Sequence, residues 1–146
     1  MNYPDAIDVA KVGTYPARAA AGGGYVWDEV LEYRVWCHPE EGASDDFEGE
    51  DYYRAFSRLS EAEAFSEKTP GAEEPLALIL QREYIDEPAP GQYVHVVASR
   101  MVEWRPEFLQ RPQRTPFTIP DFLAADAPAN RLDIIRGLVR NPREAK

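Results

Sequence analysis

From Leu31 to His38 the chain alternates strictly between two kinds of side chain, with Leu31, Tyr33, Val35 and Cys37 at odd positions and Glu32, Arg34, Trp36 and His38 at even ones. A period of two puts the two sets on opposite faces of a β-strand, and the β-branched and aromatic enrichment reaching back to Tyr25 makes it a long one. Pro39 has no N–H to give to a ladder, so the strand stops there. The segment after Pro39 cannot bury itself: Glu40, Glu41, Asp45, Asp46, Glu48, Glu50 and Asp51 fall close together, broken by Gly42, Phe47 and Gly49. A half-buried strand running into a solvated acidic loop needs a sheet with one dry face around it.

The other segments supply that sheet. Asp51 to Phe56 forms a short aromatic strand, and Ser60-Glu61-Ala62-Glu63 matches a capping box, with Ser60 as N-cap, Glu63 at N3 and Leu59 placed as a staple. The helix it starts is about two turns long and ends near Thr69-Pro70-Gly71, since a proline disfavours helical geometry in the residue before it. Pro75 to Leu80 is wholly apolar and continues to Ile85 as an amphipathic strand, its first half central in the sheet. Asp86 to Gly91 is a turn by composition, and Tyr93 to Trp104 returns as the second arm of a hairpin. Residues 105–118 are a Pro/Arg connector, Thr118-Ile119-Pro120-Asp121 has the form of a helix start, and a last helix after Asp126-Ala127-Pro128 carries Leu132, Ile135 and Leu138. The expected fold class is α+β: a mostly antiparallel sheet of about four strands, one short covering helix and a C-terminal helical tail. Residues 1–24 are expected to be a flexible arm hinged at Gly22-Gly23-Gly24, residues 25–110 the core, and residues 111–146 a connector and helical tail packing on the core or on a partner.

The 146 residues suffice for one domain without disulfides, burying roughly 70% of the surface exposed in the unfolded chain. The formal charge of −10 is uneven: residues 1–104 hold 8 basic and 21 acidic side chains, residues 105–146 hold 8 and 5. Attraction between the two parts favours folding the tail onto the acidic body or onto a second copy, through the hairpin or the C-terminal helix. Nucleic acid is not expected as a partner, because phosphate binding needs a basic patch that the tail's acids dilute. One cysteine fits a reducing compartment, and the absence of an apolar leader or span predicts a cytoplasmic protein with no membrane contact.

Chemistry-bearing residues are few. Cys37 and His38 are adjacent, so they face opposite sides of the strand and cannot easily share a metal, and a zinc site would have only His95 to add. Cys37 is expected to be a core thiol. Arg34, Trp36, His38, Tyr93 and His95 would form one polar and aromatic wall for a small ligand if their strands were neighbours. The acidic loop lacks the spacing of a calcium loop, and Gly22-Gly23-Gly24 lacks the Lys-Ser/Thr of a phosphate-binding loop and precedes a strand; no metal and no cofactor is expected.

The runs Gly24 to Pro39 and Thr69 to Leu76 resemble a family of small bacterial proteins, some members of which are labelled GCN5-related N-acetyltransferases. That resemblance implies acetyl-coenzyme A as cofactor, held by a Gln/Arg-x-x-Gly-x-Gly/Ala turn between a strand and a long helix. The nearest run here, Arg18 to Gly22, has a different spacing, so no residue carries over. The expectation is a small α+β domain that binds a ligand or a protein, with an acetyltransferase as the alternative.

Overall fold

The computed structural model of the chain describes residues 2–142. Its elements are β1 (Ala20–Ala21), β2 (Glu29–Cys37), β3 (Tyr52–Phe56), α1 (Leu59–Lys68), β4 (Leu76–Gln81), β5 (Tyr84–Ala89), β6 (Gln92–Val96), β7 (Arg100–Trp104), α2 (Thr118–Leu123) and α3 (Arg131–Ile135). The fold is α+β. Five strands form one sheet in the order β1-β7-β4-β2-β3, antiparallel except where the short β1 lies parallel to β7, and β5 and β6 pair as a second sheet. The apolar run Leu76 to Leu80 occupies the central strand, as its composition requires. β3 and β4 both run antiparallel to β2, one on each side of it, so β3, α1 and β4 form a strand-helix-strand unit whose two strands flank β2.

The face of β2 carrying Tyr33, Val35 and Cys37 packs with Ala77, Ile79, Val102 and Trp104 and with Leu59 and Ala62 of α1. The helix begins one residue before the expected cap. Arg58 is the N-cap, without a side-chain bond, and Ser60 lies inside the first turn. Burial of Leu59 outweighs the modest gain of a serine cap here. α1 is consequently ten residues long, and it stops at Thr69, where the sequence places the end.

The opposite face of β2 departs from expectation. A one-residue bulge at Leu31 shifts the pairing with β4, and beyond it Glu32 and Arg34 are wholly excluded from solvent. Residues 2–24, expected to be a flexible arm, provide the cover. Tyr3 packs on the α1 side of the sheet and Tyr33 donates to the Pro4 carbonyl, while Pro16 and Ala17 accept from Arg34 at 2.6 and 3.0 Å on the other side. A buried guanidinium needs acceptors for its donors, and the segment is held in place by supplying them.

Residues 76–104 form one long hairpin in two pieces. Pairing of β4 with β7 ends at Gln81 and Arg100, Arg82 donates its backbone N–H to Asp28 Oδ2 at 2.7 Å, and pairing resumes between Tyr84 and Val96. The turn at its tip is shorter than the expected Asp86 to Gly91 span, since β5 runs to Ala89. The outer piece carries its own core: Val26, Ile85, Ile119, Phe122 and Ile135, with Leu132 against them. The tail therefore docks on its own chain. Asp28 holds the connector, taking Arg114 Nη2 at 2.8 Å. Leu138, expected on the face of Leu132 and Ile135, is 70% exposed, because α3 ends at Ile135 and Gly137, with φ of 73°, turns the chain away. Residues 143–146 of the expected tail and Met1 of the expected arm lie outside the described residues.

Candidate functional site

The five residues expected to line one wall are divided among four places. Arg34 and Trp36 meet at Glu103, whose Oε2 accepts from Trp36 Nε1 at 2.8 Å and lies 3.4 Å from Arg34 Nη1, but Arg34 is sealed from any ligand. His38, at the end of β2, bridges Asp51 and Glu73, each at 2.9 Å. The two carboxylates, Asp51 first, raise its pKa to about 9. His95 pairs with Glu83 at 2.6 Å in the outer hairpin. Tyr93 lies among Tyr25, Phe122 and Arg131. The wall fails because β2 and β6 belong to different sheets.

Cys37 is fully buried in the main core, where desolvation raises its thiol pKa, so it is a poor nucleophile. In the acidic loop Asp45 Oδ1 accepts from the Gly49 N–H at 2.6 Å, and the Phe47 ring packs tilted against that of Tyr52 with centres 5.0 Å apart. Among the described residues no group of three or more His, Cys, Asp or Glu converges on a metal position.

A cleft of 440 Å³ opens where the two cores meet, and sequence patterning did not single it out. The Gly22–Tyr25 turn forms its floor, with Ile85, Asp86 and Glu87 of β5, Arg100 and Trp104 of β7, Phe108 and Arg111 of the connector, and Arg136 after α3 around it. The triple glycine is a packed corner rather than a hinge. Gly22, Gly23 and Gly24 have φ of 69°, 86° and 86°, and a Cβ on Gly24 would stand 2.5 Å from Gln81 Oε1. Gln81 donates to the Gly23 and Val26 carbonyls at 3.0 and 2.8 Å, and Trp104 Nε1 donates to the Gly23 carbonyl at 2.9 Å. Tyr25 continues the corner at φ of 68°, a conformation rare for a bulky side chain.

Two of the three guanidiniums, those of Arg100 and Arg111, are held by groups other than carboxylates, while Arg136 is exposed. Arg100 Nε donates to Gln81 Oε1 at 2.8 Å and its guanidinium lies 3.8 Å from the centre of the Tyr84 ring. Arg111 donates to the Tyr25 carbonyl at 3.2 Å and sits 5.2 Å from the Trp104 ring and 4.7 Å from that of Phe108. Its burial, and then the charge of Arg136, lower its pKa. Arg34, Arg54, Arg58, Arg82, Arg105 and Arg114 all pair with carboxylates. Among the described residues no ion pair joins Arg100, Arg111 or Arg136 to a carboxylate, although the chain holds 26 acidic and 16 basic side chains. Such an arrangement can receive an anion on donors already oriented by the protein. Of the three, Arg111 and Arg136 belong to the basic excess after residue 104 and Arg100 does not, and only folding gathers them.

Comparison with protein-family models, with curated proteins and with solved structures gives no match. The functional assignment therefore stands on the geometry of the cleft. Among the described residues no helix is long and apolar enough to cross a membrane.

Proposed function

We propose that the chain is a small-molecule binding domain whose ligand is a compact organic anion seated in the cleft between the two cores. The observation that carries this is the meeting of Arg100, Arg111 and Arg136 in one cavity, where among the described residues none of them forms a direct ion pair with a carboxylate. Three like charges around one cavity repel one another, and the nearby Asp86 and Glu87 offset that without pairing directly with any of them, so an added anion gains from all three. A volume of 440 Å³ suits a metabolite-sized molecule, with Phe108 and Tyr25 giving it apolar contact.

The acetyltransferase alternative finds no support in the geometry of the glycine turn. A coenzyme pyrophosphate needs backbone N–H groups at a turn opening a helix, whereas Gly22–Gly24 leads through residues 25–28 into β2. The ligand-binding assignment is tested by calorimetric titration of the full chain with inorganic phosphate and with 3-phenylpropanoate. Charge-assisted hydrogen bonds contribute about 1.5–3 kcal/mol each, so two of them give dissociation constants from about 10 mM down to tens of micromolar. Arg136→Ala is the informative variant, since Arg136 is exposed. Saturable one-to-one binding weakened roughly tenfold or more by that substitution supports the assignment. Binding that ignores it, or no binding of either anion, refutes it.

A further inference from the structure

The cleft is not uniformly cationic. Asp86 and Glu87, consecutive on β5, line it together with Arg100, Arg111 and Arg136. Opposite charges that share a cavity ordinarily neutralise one another, and elsewhere in this chain they do, as Arg114 with Asp28 at 2.8 Å and Arg82 with Glu29 at 3.1 Å. Here, among the described residues, no direct ion pair joins the two acids to the three arginines, and Arg136 acts on Glu87 only as a nearby charge, the least of the causes that hold its carboxyl below the usual range.

The protein itself holds them apart, and Tyr25 is the spacer. Its hydroxyl donates to Glu87 Oε1 at 2.5 Å, and its carbonyl accepts from Arg111 at 3.2 Å. Glu87 Oε2 accepts in addition from the Gly91 N–H at 2.8 Å. One residue thus pins a carboxylate with its side chain and a guanidinium with its backbone, and it does so from the left-handed φ of 68°. A conformation this unfavourable for a bulky residue persists only where its surroundings enforce it, and such residues cluster at ligand sites. Asp86, beside this fixed pair, makes no ion pair among the described residues and is exposed.

We propose that the ligand of the cleft is a zwitterion, an amine-bearing acid whose acid group lies against Arg111 and Arg136 and whose ammonium lies against Asp86 and Glu87. This rests on the anion-binding assignment and narrows it to a substrate class. A simple anion gains the guanidiniums but meets the carboxylates as like charges. A simple amine meets the converse. Only a molecule carrying both charges completes both halves, and it also screens the three arginines from one another.

The test is calorimetry on the full chain at neutral pH with probes that share one ring and differ in charge: L-phenylalanine, N-acetyl-L-phenylalanine, 3-phenylpropanoate and phenethylamine, with inorganic phosphate as a plain anion. L-Phenylalanine is expected to bind at least about tenfold more tightly than each of the other four, the discrimination of one charge-assisted bond. Asp86→Asn, a change at an exposed side chain, is expected to erase most of that preference while 3-phenylpropanoate binds as well or better. If phosphate or 3-phenylpropanoate binds as tightly as L-phenylalanine, the zwitterion is overturned and the anion cleft stands. A preference for L-phenylalanine that survives in Asp86→Asn overturns the assignment of the ammonium to this wall. Failure of all five probes to bind overturns both proposals.

Discussion

Replacing Arg34 with alanine should cost this protein about as much as any single change outside its apolar core. The side chains of Arg34 and Glu32 are completely excluded from solvent and lie 2.7 Å apart. The guanidinium also donates to the Pro16 and Ala17 carbonyls and lies 4.3 Å from the centre of the Tyr53 ring. Its removal leaves Glu32 as a buried anion with the Gly13 N–H, at 2.8 Å, as its remaining donor, and it deprives the two carbonyls that tie down the N-terminal segment of their partner. Breaking one side of such a pair costs about 3–5 kcal/mol. At about 2–4 °C per kcal/mol for a chain near this size, Tm should fall by roughly 6–20 °C. Urea unfolding followed by circular dichroism measures the free energy. A double variant, Glu32→Met with Arg34→Met, removes the uncompensated buried charge and should recover part of the loss, the rest remaining because the Pro16 and Ala17 carbonyls and the Gly13 N–H lose their partners. A loss below about 1 kcal/mol in Arg34→Ala, the range of a solvated surface pair, would refute the claim that the N-terminal segment seals this network.

Gly24→Ala should destabilise by about 2–5 kcal/mol, combining left-handed strain with collision against Gln81, whereas Gly22→Ala, which has open space at its Cβ, should cost only about 1–2 kcal/mol; thermal melts compare them. His38 has a folded pKa of about 9 against 6.5 in the unfolded chain, so its contribution to stability is complete below about pH 6.5 and is lost as pH rises towards 9. Unfolding curves across that window should show the loss in the wild type and not in Asp51→Asn with Glu73→Gln. Cys37 should resist thiol reagents until the protein unfolds, and Cys37→Ala should cost about 1 kcal/mol, that of one buried methyl-sized group, measured by urea unfolding.

Strand identities were legible in the sequence because period-two alternation and proline stops are local signals. Tyr33, Val35 and Cys37 lie on the core face their parity assigns them. The other parity misled for a physical reason: Arg34 and Glu32 read as polar and therefore wet, yet each satisfies the other, and a covering segment distant in sequence completes the exclusion of water. Whether a charge is buried depends on partners that alternation cannot reveal. The pairing of residues across strands was equally out of reach, since the break after Gln81 that assigns His95 to a second sheet is imposed by Asp28, more than fifty residues earlier. The cleft had only a compositional trace, the basic excess after residue 104, which includes Arg111 and Arg136 but not Arg100. Its arginines lie at positions 100, 111 and 136, and nothing local joins them. The triple glycine was visible, but its use as a close-packed corner depends on Gln81 and Trp104 arriving beside it.

The cleft itself is tested most directly by proton–nitrogen correlation NMR of the full chain during titration with L-phenylalanine and, separately, with inorganic phosphate. Saturating shifts are expected to move together at the Gly23, Gly24 and Tyr25 amides, the Trp104 indole N–H and the Arg111 and Arg136 signals, and to need roughly tenfold more ligand in Arg136→Ala. Spectra in which those signals stay still, or in which the shifts fall instead on exposed cations such as Arg18 and Arg140, would contradict the cleft assignment.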